Sequence, residues 1–369
     1  MNWWKCILLT ISFGLCLSVE RSSAAAAAVT VPQNAPNDTS VNQGDAEGSS
    51  DVDVAELVFG HIGDGYGWHL TNWSGKHITI PLPCIVYSST GWHVFMSSKL
   101  EHGNVYKGLF LSEDGKIMEI MPDGSIVRPF DISITKNVAS LMISALLLIL
   151  IILGTARWYK KHDTLQEGAP KGFAGLVEML VTMVTDDLIK PSIDEKYYRK
   201  YTPFLLTVFF FIFLSNLLGI VPFFPGGANV TGNIAVTMVL AMFTFFMVNL
   251  FADKHYWKEI LWPDAPVFLK FPLPIMQIIE IFGMISKPFS LMVRLFANIL
   301  AGHAMILGLV AVIFVTAKMG PVLSGSMTAI TVVFGVFMDC LELLVAFIQA
   351  YVFTMLSAVF IGMSRQGGH

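Results

Sequence analysis

Charged residues are scarce in this chain. Only 14% of its 369 residues are Asp, Glu, Lys or Arg, whereas 54% are hydrophobic. The formal net charge of −4 is too small to indicate a nucleic-acid partner. Together with a mean hydropathy of +0.64, this composition excludes an ordinary soluble enzyme and indicates an all-α polytopic membrane protein.

Cysteine is also rare, with four residues in the whole chain. Cys6 and Cys16 stand near the amino terminus, while Cys84 and Cys340 lie in segments of very different polarity, so no disulfide framework follows. Histidine is concentrated in the first third of the chain, but its spacing there matches no metal-ligand motif. We therefore expect neither a metal nor a cofactor. These histidines are His61, His69, His77, His93 and His102.

The first residues have the organisation of a secretory signal. Lys5 precedes an apolar run from Cys6 to Ser18, and small residues follow through Ala28. The run is too short for a membrane-spanning helix. We expect a signal peptide at 1–28 and, because the next residues are mostly small and polar, a flexible linker at 29–50.

Residues 51–134 predict a small β-rich exported domain. Short apolar runs such as 77–80 and 84–87 are typical of strands. Asp114-Gly115 and Asp123-Gly124 are tight-turn signals between such runs.

Residues 135–369 are the predicted membrane domain, in which we expect about five spans. The last two apolar segments would measure about 65 and 57 Å as continuous helices at 1.5 Å per residue, against about 30 Å of hydrocarbon. We expect both to be strongly tilted and joined by a turn at Met319–Gly325, with breaks at Pro288 or Gly320 as the alternative. The five predicted spans are 138–155, 203–224, 230–252, 275–317 and 326–363.

Basic residues after the first span predict the orientation. Arg157, Lys160 and Lys161 mark the cytoplasmic side. The exported domain would therefore be periplasmic and the carboxyl terminus cytoplasmic, in a multi-pass protein of the cell inner membrane. Between Lys171 and Ile189 apolar residues recur at spacings of three and four, which predicts an amphipathic helix along the cytoplasmic interface.

Apart from small hydroxyl residues, three polar side chains interrupt the apolar run from Phe289 to Ala317, namely Arg294, Asn298 and His303. A charged side chain at membrane depth costs about 2.5–3.5 kcal/mol on the insertion scale, so such a residue usually has a function. Arginine does not deprotonate in proteins, and it therefore acts as a fixed cation that passes no proton on.

Helix geometry separates these residues into two groups. His303 lies nine positions after Arg294, which places it on the opposite helix face and about 13 Å further along. Histidine and carboxylates exchange protons near neutral pH once burial shifts their pKa values. We therefore expect His303 and Glu342 to line a wet path in which Asn298 and Gln349 order water, while Arg294 faces a partner's carboxylate.

Two stretches resemble subunit a of the rotary F-type ATP synthase membrane sector. They are S-K-P-F-S-L-M-V-R-L-F-A-N-I-L-A-G-H from Ser286 and E-L-L-V-A-F-I-Q-A-Y-V-F from Glu342. The similarity covers roughly residues 171–364. It implies that Arg294 is the stator arginine facing the subunit c ring and that Glu280 lies near the cytoplasmic exit. It also implies that an outer half-channel is lined by Asn298, His303, Glu342 and Gln349.

The resemblance implies a stator subunit without a catalytic site of its own. It would form two offset half-channels that pass protons to and from the c ring, drive its rotation and so couple it to ATP synthesis. The expected partners are the c ring, the subunit b peripheral stalk, the rest of the ATP synthase and the lipid bilayer. Many bacterial members have an acid after A-G and a histidine on the last helix, whereas His303 and Glu342 stand here in the exchanged order.

Other interpretations stay open from sequence alone. A secondary transporter with a buried charged substrate site would require inverted repeats with broken helices, and no such symmetry is visible. A membrane-anchored receptor would leave the pattern from Arg294 to Gln349 unexplained. Snorkelling is the structural alternative for Arg294, and helix association is the alternative for Asn298 and Gln349.

Overall fold

The structure is a computed structural model. The predicted signal peptide and linker lie outside the described residues, as do Asp114, His61 and His102. The described residues are 64–73, 76–100, 103–112, 115–162, 170, 172–221, 224–262, 275–316 and 320–365.

In the described part of the region in which the sequence predicts β structure there are eight short strands. They form three antiparallel sheets, β1-β2, β4-β3-β8 and β5-β6-β7. The apolar runs at 77–80 and 84–87 lie in β2 and β3. The strands are β1 (Gly67–Trp73), β2 (Lys76–Pro81), β3 (Pro83–Ser88), β4 (Gly91–Met96), β5 (Leu109–Leu111), β6 (Ile117–Ile120), β7 (Ile126–Val127) and β8 (Phe130–Asp131).

One face of the β4-β3-β8 sheet is covered and the other is open. Alternate residues of β3 point inward, and they form a small core with residues of β4, β5 and β6. Burial raises the pKa of Cys84 in this core to about 12. Gly124 supplies the positive φ of 81° required in the turn between β6 and β7. The core consists of Cys84, Val86, Phe95, Leu100, Leu109 and Ile117.

Seven α-helices of eight or more residues lie in the described part of the chain after residue 135. Four of these, α1, α3, α6 and α7, are long and apolar enough to cross a membrane, while α4 is apolar but has 17 residues. The helices are α1 (Lys136–Lys161), α2 (Phe173–Met183), α3 (Tyr198–Ile220), α4 (Ile234–Leu250), α5 (Lys254–Leu261), α6 (Ile275–Thr316) and α7 (Pro321–Arg365).

The prediction of two very long helices is confirmed. Helix α6 has 42 residues and passes through Pro288 without a break, and α7 has 45 residues. A proline is tolerated within a membrane helix when neighbouring groups satisfy the freed carbonyl. Helix α7 packs against α3, α6 and α4, and it is therefore the central element of the membrane region.

The predicted turn at Met319–Gly325 is wrong from residue 321 onward. Helix α7 begins at Pro321, five residues before the predicted start of the last span. Proline fits the first turn of a helix because the missing N–H has no intrahelical acceptor there. The preceding Gly320 has φ +101°, a conformation that glycine adopts without strain.

Other span boundaries also differ from the prediction. Helix α1 continues to Lys161, six residues beyond the predicted end of the first span at residue 155. Helix α3 begins at Tyr198, so Pro203 lies inside it rather than at its start. Helix α4 begins at Ile234 instead of residue 230, because Asn233 caps it by accepting a hydrogen bond from the Ala235 N–H at 3.0 Å.

The amphipathic segment forms a helix, but only part of its apolar side is buried. Helix α2 continues into a π-helical turn, Val184–Ile189, and a short helical turn, Lys190–Ser192. Val177 and Leu180 pack into the core, whereas Phe173 is 63% exposed. The apolar arc is therefore wider than the surface that the other helices cover.

Candidate functional site

A contact between a partly buried histidine and a buried carboxylate joins the two longest helices. The Nδ1 atom of His303 on α6 contacts Oε1 of Glu342 on α7, and the two side chains are 17% and 6% exposed. A short connection makes α6 and α7 antiparallel neighbours, so the middle of one helix meets the middle of the other. The structure thus brings together the predicted proton-exchanging pair.

A second polar contact follows on the same interface. The Nδ2 group of Asn298 donates to Oε1 of Gln349 at 3.0 Å. Asn298 precedes His303 on α6 and Gln349 follows Glu342 on α7, as antiparallel packing requires. The four predicted half-channel residues therefore form two adjacent pairs between α6 and α7.

Two glycines make room for the contact between His303 and Glu342, and sequence reasoning did not single out their contacts. A Cβ atom at Gly302 would lie 3.2 Å from Oε1 of Glu342, so a side chain there would press on the carboxylate. A Cβ atom at Gly219 of α3 would lie 3.6 Å from Nε2 of His303. The backbone of α3 thus forms a wall beside the imidazole.

A further polar chain connects the loop between α3 and α4 to α7. The Thr231 hydroxyl donates to Oδ1 of Asn216 at 2.5 Å, and Nδ2 of Asn216 donates to the Ala346 carbonyl at 3.4 Å. Ala346 lies one helical turn after Glu342. The signal that could have revealed Asn216 is its polar side chain within the apolar span of α3.

Arg294 lies one helical turn before Asn298 on α6 and takes part in neither pair. Its side chain is exposed, and within the described part of the chain it makes no hydrogen bond or ion pair. Neighbouring residues on the same helix, Leu291 and Leu295, are buried in the core. The guanidinium therefore lies on an outer face of the bundle formed by this chain.

Glu280 lies at the other end of α6, half-buried and separate from both polar pairs. Its neighbour is Tyr256 on α5. Burial raises the pKa of the Tyr256 phenol, and the negative charge of Glu280 raises it further. The Tyr256 hydroxyl donates to Oδ1 of Asn249 at 3.4 Å. Glu280 is thus 23 residues from His303 along α6.

The arrangement suits proton exchange within a membrane. Histidine and carboxylate side chains can each take up and release a proton, while an arginine keeps its charge. Among the described residues, no group of three His, Cys, Asp or Glu side chains is arranged to hold a metal ion.

The fold and this site define a helical membrane protein with paired ionisable and amide side chains between its two longest helices. Residues 139–362 match the family model described as ATP synthase A chain. Residues 57–136 match a separate domain of unknown function, DUF8433.

Curated relatives agree with the first match. ATP synthase subunit a of Chloroherpeton thalassium is 41% identical over 264 residues, which cover 68% of this chain and 74% of that protein. ATP synthase subunit a of Myxococcus xanthus is 37% identical over 306 residues, which cover 79% of this chain and 90% of that protein. The chain belongs to the ATP synthase A chain family, and it is a membrane subunit with a part in proton transport and ATP synthesis.

Proposed function

We propose that this chain is the stator subunit that passes protons to and from a ring of c subunits through two offset half-channels. The observation that supports this most is the separation of Arg294 from the contact between His303 and Glu342. The fixed cation is exposed on an outer face, while the partly buried His303 contacts the buried Glu342 between α6 and α7.

The paired residues support the proposal of an outer half-channel. A proton from the periplasmic side reaches His303 and Glu342, and Asn298 and Gln349 order water on the way to the ring. It neutralises a ring carboxylate, which then moves into the hydrocarbon as the ring turns. After nearly a full rotation the proton leaves through the inner half-channel near Glu280 to the cytoplasm.

Arg294 keeps the two half-channels from becoming one pore. Its charge holds an arriving ring carboxylate ionised, and because it does not deprotonate it cannot relay a proton directly across. Each elementary charge that crosses about 100 mV releases about 2.3 kcal/mol, which this barrier makes available as torque.

The membrane arrangement is part of the proposal. Helix α4 measures about 25 Å at 1.5 Å per residue, close to the hydrocarbon thickness of about 30 Å, and it serves as a fifth span. Helices α6 and α7 lie strongly tilted against the ring, α2 lies along the cytoplasmic interface, and a subunit b stalk holds the chain stationary. The β-rich domain is periplasmic and the carboxyl terminus is cytoplasmic.

The transporter alternative has less support. It requires paired broken helices around a substrate site, whereas α6 and α7 are each continuous throughout their described lengths.

Arg294→Ala tests the proposal in sealed vesicles that contain the complete ATP synthase. We expect coupled ATP synthesis to be abolished, because the ring carboxylate would lose its counter-charge and the half-channels their barrier. Asp339→Asn is the matched control, since Asp339 is an exposed charge on α7 without an assigned role. Normal synthesis by the Arg294 variant at normal assembly would overturn the proposal.

A further inference from the structure

The β-rich domain has no assigned role, yet one of its side chains is part of the membrane core. Trp68 on β1 is 3% exposed and packs in the large hydrophobic cluster of the membrane helices. The β-rich domain has its own core around Cys84 and Val86, to which Trp68 does not belong. Ile80 on β2 packs against the same membrane cluster. The β1-β2 hairpin therefore docks on the membrane region.

The partner of Trp68 is the loop between α3 and α4. The Trp68 indole N–H donates to the Gly226 carbonyl at 3.1 Å in a buried setting. The Trp68 and Phe224 rings meet edge to face, with centroids 5.2 Å apart. A hydrogen bond and an aromatic contact thus fix the loop from its outer side.

The same loop is folded tightly onto the carboxyl end of α3. The Gly227 N–H donates to the Leu218 carbonyl at 3.1 Å. A Cβ atom at Gly226 would overlap the carbonyl oxygens of Leu218 and Val221, so only glycine permits this close backbone packing.

The loop in turn lies next to the contact between His303 and Glu342. The position of a Cβ at Gly219 would be 3.5 Å from the Ala228 carbonyl on one side and 3.6 Å from Nε2 of His303 on the other. Thr231, further along the loop, is connected through Asn216 to the helix turn after Glu342. A continuous set of contacts therefore runs from Trp68 to the walls around His303.

We propose that the β-rich domain holds the periplasmic mouth of the outer half-channel in shape, with Trp68 as the positioning residue for the wall against which His303 lies. This inference depends on the proposed function, because it needs protons to enter at His303. Loss of the anchor would loosen the α3–α4 loop and make the entry a poorer site for protons from the outside.

Among the residues that the structure describes, few ionisable groups face His303, so a change in its proton uptake can be interpreted. Helix α7 presents Glu342, with Asp339 exposed one turn away, and α3 presents the backbone of Gly219. Helix α4 contains no ionisable residue, and those of α3 lie in its first turn, far from Gly219. Tyr256 on α5 neighbours Glu280, more than twenty residues from His303 on α6.

The experiment measures ATP synthesis by the complete enzyme in proteoliposomes while the pH on the periplasmic side is varied. For Trp68→Ala we expect half-maximal synthesis at a periplasmic proton concentration about fivefold higher than for the wild type, which is the effect of one lost hydrogen bond. The maximal rate should change little. Trp68→Phe retains the ring contact but loses the N–H donor, and a smaller shift is expected. Trp92→Ala is the control: this indole lies on the open face of the β4-β3-β8 sheet, and no shift is expected.

The inference would be overturned if Trp68→Ala assembled normally and kept the wild-type proton dependence. It would also be overturned if Trp92→Ala shifted the proton concentration at half-maximal synthesis by the same amount. If Trp68→Ala does not assemble, Trp68→Phe and Phe224→Leu decide by the same measurement, and wild-type profiles in both overturn it. Arg294→Ala in the same preparation separates the two proposals. If Arg294→Ala still synthesises ATP, the proposed function fails. If Arg294→Ala loses ATP synthesis while Trp68→Ala keeps the wild-type proton dependence, only the proposed role of Trp68 is refuted.

Discussion

At Glu342 two neighbours decide where the carboxylate lies. His303 contacts one oxygen, and the bare backbone of Gly302 leaves space for that same oxygen. A methyl group at residue 302 would push the carboxylate by a few tenths of an ångström. Because the side chain is buried, no water would replace a weakened contact.

Gly302→Ala should therefore lower ATP synthesis by about fivefold, the effect of one weakened hydrogen bond. Gly308→Ala is the matched control on the same helix, since nothing lies within 4 Å of a Cβ atom there, and it should retain the wild-type rate. Synthesis rates at equal complex content in vesicles make the comparison. Equal rates for the two variants would show that the carboxylate tolerates the methyl group.

The sequence identifies some of these site residues, whereas their contacts are visible only in the structure. The polar residues of α6 and α7 stand out from their apolar surroundings, and 100° per residue places Arg294 and His303 on opposite faces. Nothing in the sequence shows that Gly219 of α3 lies beside His303. A glycine has no side chain to mark its partner, and that contact joins positions far apart in the chain.

At the scale of elements, α7 depends on one close backbone contact. A Cβ atom at Gly362 would overlap the Ser192 carbonyl oxygen in the segment after α2. Gly335 on the same helix has nothing within 4 Å of the corresponding position. Comparing alanine substitutions at the two glycines therefore distinguishes the effect of close packing from the effect of helix propensity.

Gly362→Ala should lower the free energy of unfolding by about 1–3 kcal/mol, as overpacking does. Gly335→Ala should raise it by about 0.5–1 kcal/mol, because alanine restricts the unfolded chain more than glycine does. Thermal unfolding of the purified subunit in detergent measures both midpoints. A fall of similar size in both variants would mean that the close contact at Gly362 is not formed.

The element boundaries show where pattern reasoning ends. Hydrophobicity located the spans because lipid contact requires an apolar exterior and a satisfied backbone. It misplaced the start of α7, since Pro321 acts as a first-turn residue rather than as a breaker. Periodicity also gave the apolar arc of α2, but it does not show how much of that arc other helices cover, and Phe173 is 63% exposed.

At the scale of the whole molecule, the proposed orientation can be tested with cysteine labelling in spheroplasts. A membrane-impermeant maleimide should label Trp92→Cys from outside, because that position is 59% exposed. Phe173→Cys on α2 should be labelled only in inverted vesicles, since that helix lies on the cytoplasmic side in the proposal.

Cys84 serves as the internal control for the fold of the β-rich domain. It is fully buried and its pKa is raised to about 12, so at pH 8 its thiol stays protonated and unreactive. Labelling should appear only after denaturation. Labelling of native Cys84 would show that the core of the β-rich domain is open, and labelling of Phe173→Cys from outside would reverse the orientation.

The amino-acid sequence by itself determined that this chain enters a membrane, where its long helices lie and which of their side chains are too polar for lipid. These properties depend on local composition and on the fixed rotation of a helix, which need no partner. Only the tertiary structure decided that His303 meets Glu342 beside Gly302 and Gly219, and that Trp68 leaves its own domain to pack among the membrane helices. Such contacts join residues up to 158 positions apart, and they arise from how whole elements pack, which no single segment encodes.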